Sequence, residues 1–379
     1  MKLYRNMPDT LILRGMCMRK IISLGGGEPE YRTPDHIVEA MKEALDEGRT
    51  HYGDFKHIPE FREAIASYYK RMGVKADPDF VIVTPGSTMG IYMALRVLVG
   101  LGNDIITMDP CFFAYRSTMR NIGCNPVRLY RYKDEGWGIH LEDLEETYTP
   151  KTKAILICSP DNPTGYVFGK EELKGIAEFA EEKDIMVISD DIYSEITYDG
   201  VQFTSIASIP NMRDRTVILN GLSKAYAMTG WRVGYVITPD EDLYNRFHDI
   251  QLATYLVLNA AVQRASVAAL TGPQDQVREM VTGYEEKRRL VMDAYEEIPD
   301  VSFVKPKGAF YLFPDMSAYE KNSRKLVQYI RDEAGVAVTP GVLFGSNGEG
   351  HFRQAFAQSK EDLEEGIDRI KQALKKLKR

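Results

Sequence analysis

The chain has 379 residues, 44% of them hydrophobic and 27% charged, which excludes a disordered or fibrous chain and leaves room for two or three packed units at about 100 to 200 residues each. Lys and Arg number 48 against 55 Asp and Glu, a net charge of -7 with no basic track interleaved with aromatics, so nucleic acid is not expected as a partner. The four cysteines, Cys17, Cys111, Cys124 and Cys158, have neither the paired spacing of a zinc site nor the density of a disulfide framework; no metal is expected, and a reducing compartment is.

Near the N-terminus the apolar run Leu11, Ile12, Leu13 is too short for a signal-peptide core or a membrane span, so a cytoplasmic protein without a membrane partner is expected. GGGEP, ending a glycine run at Gly27, and HYGDFKHIPEFREAI, with Tyr52, precede the first strong strand signal. Short runs rich in Val and Ile then recur at Phe80 to Val83, Asp104 to Met108, Ala154 to Cys158, Ile185 to Ser189, Thr216 to Leu219 and Val233 to Ile237. Between them lie stretches with helical spacing, such as Glu171 to Glu182, where Leu173, Ile176, Ala177 and Ala180 recur. The alternation predicts an α/β fold with a mostly parallel sheet between helices.

The segments that follow these strands hold the chemistry. Gly86-Ser87-Thr88 comes between a strand and a helical pattern, where free N–H groups suit a dianionic phosphate, although Ser and Thr there also serve as plain N-caps. Phe112 sits in DPCFFAY, where core packing is the ordinary use of an aromatic. SPDNPTG, Ser159 to Gly165, carries tight-turn signals around Asn162, and SDDIY, Ser189 to Tyr193, puts Asp190 at a strand end. GLSKAYAMTGWRVG, Gly221 to Gly234, places Lys224 just beyond a strand's C-terminal end, where open α/β sheets bind ligands. A desolvated lysine there has a lowered pKa and condenses with an aldehyde, and Arg232 offers a fork for a phosphate.

After about residue 285 the texture changes. A long charged helix (Gln274 to Glu297), strands at Gly308 to Phe313 and His351 to Phe356, and an amphipathic last helix predict a smaller α+β domain. The expected division is 46–285 for a large domain, with 1–45 and 286–379 forming a discontinuous small one. Arg353, in GHFRQAFA, falls on one of these strands and suits a planar bidentate pair with a carboxylate.

The Lys224 segment resembles the pyridoxal-phosphate lysine motif of class I/II aminotransferases, fold type I, close to the prokaryotic aspartate aminotransferase branch with its SKxxAMTGWRxGY. The other motifs follow in that family's order from Gly27 to Arg353. The resemblance implies a seven-stranded sheet and pyridoxal 5'-phosphate held covalently by Lys224. It implies Asp190 on the pyridine nitrogen, Asn162 and Tyr193 on the phenolic oxygen, and Phe112 stacked on the ring. The phosphate cup is Gly86, Ser87, Thr88, Ser223 and Arg232, with Tyr52 reaching the phosphate of a neighbouring subunit, hence a homodimer with shared active sites. Arg353, Gly27 and Asn162 are implied for the substrate α-carboxylate.

The implied activity is ping-pong transfer of an α-amino group from an L-amino acid to a 2-oxo acid, commonly 2-oxoglutarate, with Lys224 moving the α-proton. Carbon–sulfur lyases and aminocyclopropane-carboxylate-synthase-like enzymes share Lys, Asp and Asn and are the alternative; the AMTGWRVGY segment favours the transferase. Three departures bear on detail. Gly221 stands where many relatives have a hydroxyl, His57 where they usually have Gly, and Asp191 where they have Glu. Thr88 replaces the Lys that pairs with the distal carboxylate in aspartate-selective relatives, and Tyr255 lies near where relatives place small polar residues contributed across the dimer interface, so its bulk is expected to narrow the pocket; aspartate held by another cation such as Arg116 or Lys56, and aliphatic, aromatic or unusual amino acids, all stay open as donors.

Overall fold

The computed structural model describes residues 21–377; Cys17 and the Leu11–Leu13 run lie outside them. In chain order β1 (Ile22–Ser23) leads to α1 (Asp35–Asp46) and α2 (Pro59–Arg71). Then come β2 (Val81–Thr84), α3 (Ser87–Ala94), β3 (Asp104–Asp109), α4 (Phe113–Ile122) and β4 (Asn125–Tyr130). They are followed by α5 (Glu142–Thr147), β5 (Thr152–Cys158), α6 (Lys170–Glu182), β6 (Met186–Asp190), β7 (Thr216–Gly221) and β8 (Gly234–Ile237). The remainder is α7 (Glu241–Thr254), α8 (Ala260–Thr271), α9 (Asp275–Glu296), β9 (Tyr311–Leu312), α10 (Ser323–Ala334), β10 (Val336–Ala337), β11 (Thr339–Pro340), β12 (Phe352–Ala355) and α11 (Lys360–Leu377).

Seven strands form one sheet in the order β2-β8-β7-β6-β5-β3-β4, parallel except for β8, which runs antiparallel to both neighbours. The Val/Ile runs became its interior: β2, β3, β7 and β8 are buried at every position. Continuous apolar runs are what a sheet covered on both faces requires. Sequence patterning missed β4, an edge strand carrying Asn125, Pro126 and Arg128, most of whose residues are exposed or half-buried. Edge strands tolerate Pro and charge, so they lack the apolar signature.

The C-terminal elements build two small sheets, β1-β10 and β11-β12-β9. Parallel pairing of Ile22 with Val336 ties the first described strand to this region, while α1 packs against α8. The strand expected over Gly308 to Phe313 is regular only at Tyr311–Leu312, with an isolated bridge from Gly308 to Thr197. The amphipathic reading of α11 holds: Leu363, Ile367, Ile370 and Leu374 are buried at helical spacing. Among the described residues no helix is long and apolar enough to cross a membrane.

His57 adopts φ 70°, the left-handed region that glycine enters freely and other residues enter at a cost of about 1 kcal/mol. That is a backbone reason for glycine at this position. His57 is buried, which pushes its imidazole pKa down to about 4, and Nε2 lies 3.2 Å from Gln251 Oε1.

Candidate active site

The C-terminal ends of β5, β6 and β7 open into a cavity of about 490 Å³, as strand ends of an open sheet are expected to do. Lys224, Asp190, Tyr193, Asn162, Phe112, Ser87, Thr88, Ser223, Arg232, Gly27 and Arg353 all line it. Gly86 is the N-cap of α3 immediately beneath, at φ 84°. Tyr52 does not line this cavity; it is 76% exposed on the surface.

Lys224 follows the last residue of β7 by three positions and donates from Nζ to the Gly27 carbonyl at 2.5 Å. Burial lowers its pKa to about 8, helped by Arg353 and Arg232 and opposed by Glu28 and Asp190. Asp190 ends β6 and is buried, accepting from the Tyr115 hydroxyl at 2.7 Å and the Ile192 N–H at 3.3 Å. Burial raises its pKa to about 6. No described residue gives this carboxylate an ion pair or a cationic hydrogen bond, so it favours a positively charged N–H arriving from the cavity.

At the other end Arg232 stands in the left-handed region, φ 56°, and donates to the Thr229 carbonyl at 2.7 Å. Its guanidinium packs so closely on Gly86 that a Cβ there would collide with it. Gly234 is constrained likewise: a Cβ would meet the Ser87 nitrogen at 2.5 Å. Two glycines thus bring the start of β8 against the start of α3, whose first N–H groups have no partner within the helix. The missing hydroxyl at Gly221 has the same origin, since a Cβ there would sit 2.9 Å from the Val233 carbonyl oxygen. Ser223 lines the cavity and is the hydroxyl on offer.

Arg353, on β12, donates to Asn162 Oδ1 at 2.8 Å and to the Gly25 carbonyl at 2.7 Å, with its guanidinium 4.3 Å from the Tyr311 ring centre. Its buried Nε has no partner among the described residues, leaving donor capacity for a carboxylate. Asn162 is held by its neighbour: buried Asp161 takes an ion pair from Arg131 at 2.9 Å and a bond from the Thr164 hydroxyl at 2.5 Å. The Tyr193 and Tyr311 hydroxyls lie 2.7 Å apart, and burial holds the Tyr193 phenol well above its ordinary pKa, hence protonated. The Tyr311 hydroxyl also occupies the space a Cβ on Gly27 would need.

Patterning missed Tyr115, Tyr311, Phe113, Ile91 and Glu28, which also line the cavity. Tyr115, three residues after Phe112 and on the same face of α4, was within reach of helical spacing; the others had no local signal. The residues expected to set specificity lie outside this chain's own cavity. Arg116 donates to the Leu343 carbonyl and Lys56 is exposed, and neither lines the cavity. Tyr255 donates to the Val83 carbonyl at 2.8 Å and does not line this chain's cavity.

An amine of lowered pKa, a buried carboxylate open to a cationic N–H and a glycine-lined anion cradle match the aldehyde, pyridine nitrogen and phosphate of pyridoxal 5'-phosphate. When bound, that group supplies an electron sink for bond breaking at an amino acid's α-carbon. Fold and site therefore define a pyridoxal-phosphate-dependent enzyme of amino-acid chemistry. A family model for class I and II aminotransferases matches residues 19–370, and the chain belongs to that family. It is similar to aromatic-amino-acid aminotransferase 2 of Thermococcus litoralis, 39% identical over 94% of this chain and 92% of that one. It is also similar to the aspartate aminotransferase of Pyrococcus abyssi, 39% identical over 95% and 93%. The solved aromatic aminotransferase of Pyrococcus horikoshii superimposes with a TM-score of 0.91 at 38% identity, covering 94% of this chain and 96% of that one. The chain is a pyridoxal-phosphate-dependent aminotransferase, the transferase reading of its sequence.

Proposed function

We propose that this aminotransferase prefers aromatic and other large apolar L-amino acids as donors over aspartate. The observation that carries the reading is the charge inventory of the cavity. Its cations among the described residues are Lys224, Arg232 and Arg353, and each has a use: the cofactor's aldehyde, its phosphate, and the substrate α-carboxylate. Its acidic side chains are Asp190, whose use is the pyridine nitrogen, and Glu28, which accepts from the Thr229 hydroxyl at 2.8 Å and repels a distal carboxylate. Ile91, Phe113 and Tyr311 line the rest with apolar and aromatic surface. Among the relatives, the Thermococcus litoralis protein bears the matching name and the Pyrococcus abyssi protein the other.

In this reading Arg353 and Asn162 fix the amino acid's carboxylate, and the backbone of Gly27, whose missing side chain makes room for the Tyr311 hydroxyl, approaches the same group. Lys224, neutral when its amine is freed, takes the α-proton and returns it at the cofactor's C4′ carbon. Asp190 keeps the pyridine nitrogen protonated, and Tyr193 and Asn162 serve the phenolic oxygen. Phe112 stacks on the ring, and Gly86, Ser87, Thr88, Ser223 and Arg232 hold the phosphate. The acceptor is a 2-oxo acid, 2-oxoglutarate first among those to test.

We further propose a homodimer in which exposed Tyr52 serves the neighbouring subunit's phosphate site. Gln251 supports that loop by donating to the Phe55 carbonyl at 2.7 Å. The reading keeps 46–285 as the large domain and 1–45 with 286–379 as the small one. It places the enzyme in the cytoplasm, in keeping with free, buried Cys111, Cys124 and Cys158. The donor preference is tested by single-donor half-reactions without any oxo acid, which separates donor from acceptor choice. Tyrosine and phenylalanine are expected to exceed aspartate by at least about tenfold in kcat/KM, the worth of one unpaired charge; aspartate as the best donor overturns it.

A further inference from the structure

A second cavity, of about 660 Å³, opens beside the active site between α4, the start of β4, the Val342–Leu343 turn and the start of α10. Its charged lining is four arginines, Arg116, Arg120, Arg128 and Arg324, with no acidic side chain. In a chain of net charge -7 such a convergence runs against the overall balance.

Two of the four are partly engaged. Arg116 donates to the Leu343 carbonyl, and Arg128 lies 3.5 Å from Asp109 and 3.3 Å from the Ser346 hydroxyl. Arg120 and Arg324 are exposed, and their side chains make no hydrogen bond or ion pair with any described residue. Like charges brought around one concavity repel unless an anion joins them, and guanidinium forks match carboxylate and phosphate oxygens.

The cavity adjoins the active site along α4. Residues 113, 116, 117 and 120, at helical spacing, line the arginine cavity. Phe112 and Tyr115, on the adjacent face, line the active site, where Tyr115 bonds Asp190; Phe113 walls both cavities. We propose that this cavity binds a small polyanion with two or more phosphate or carboxylate groups, joining Arg120 on α4 to Arg324 on α10.

The test titrates inorganic pyrophosphate and citrate separately into the holoenzyme by calorimetry at constant ionic strength, so that the cofactor already occupies the phosphate cradle. Saturable binding of one anion per chain is expected, weakened at least about tenfold in both Arg120→Glu and Arg324→Glu, whose transamination without added anion stays at the parent level. Tighter pyrophosphate would assign a phosphorylated ligand; tighter citrate would assign a polycarboxylate. The proposal is overturned if neither probe binds below about 10 mM, or if both variants bind as the parent does, which would put the anion elsewhere, as at Arg353.

Discussion

Lys224→Ala is expected to lower kcat by more than about 10⁴-fold, because one side chain serves as both covalent anchor and proton carrier. The environment prepares it for both tasks. With a pKa of about 8, roughly one amine in ten is neutral at pH 7, against about one in three thousand for an ordinary lysine. Cofactor capture by the apoenzyme should accordingly quicken as pH rises and level off above about pH 8. Lys224→Arg keeps a cation next to the Gly27 carbonyl but offers no neutral amine, so it should be as inactive as the alanine variant. Steady-state turnover with excess cofactor checks both. Activity within tenfold of the parent in either variant would remove Lys224 from the chemistry.

Asp190→Asn is expected to lower kcat about 10³-fold with little change in KM, since a neutral amide of the same shape cannot hold a proton on the pyridine nitrogen. Stability should move the opposite way. Burial raises the Asp190 pKa in the apo protein from 3.8 to about 6, so the folded state binds its proton more tightly than the unfolded chain. Stability is then lost as pH rises from about 4 to 6, reaching a cost on the order of 3 kcal/mol above that window. The apo Asn variant, free of that cost, should melt higher than the parent at pH 7 and no higher at pH 4. Loss of activity together with a lower melting temperature would mean that Asp190 holds the fold rather than the chemistry.

Much of this was readable from the sequence because the fold repeats a simple grammar. Buried parallel strands write themselves as Val/Ile runs, and the residues at or just beyond their C-terminal ends, Asn162, Asp190 and Lys224, inherit a place at the cavity. What escaped depends on distance along the chain. Tyr311 meets Tyr193 across 118 residues, and Lys224 meets the Gly27 carbonyl across 197, with no local pattern to announce either. Gly221 read as a lost hydroxyl, whereas its pairing with Gly234, where β7 meets antiparallel β8, puts the β8 backbone where a side chain would start. Arg116 read as a candidate substrate cation, but the turn of α4 directs it to the neighbouring cavity.

The most direct measurement is the absorbance spectrum of the purified, cofactor-loaded enzyme between 300 and 500 nm, taken before and after a mixed set of amino acids is added without any oxo acid. A band near 360 to 430 nm is expected that moves to about 330 nm, and reverses when a 2-oxo acid is supplied. A protein that develops no such band even with added pyridoxal phosphate would contradict the assignment of Lys224 and, with it, the reading of the cavity as the site of amino transfer.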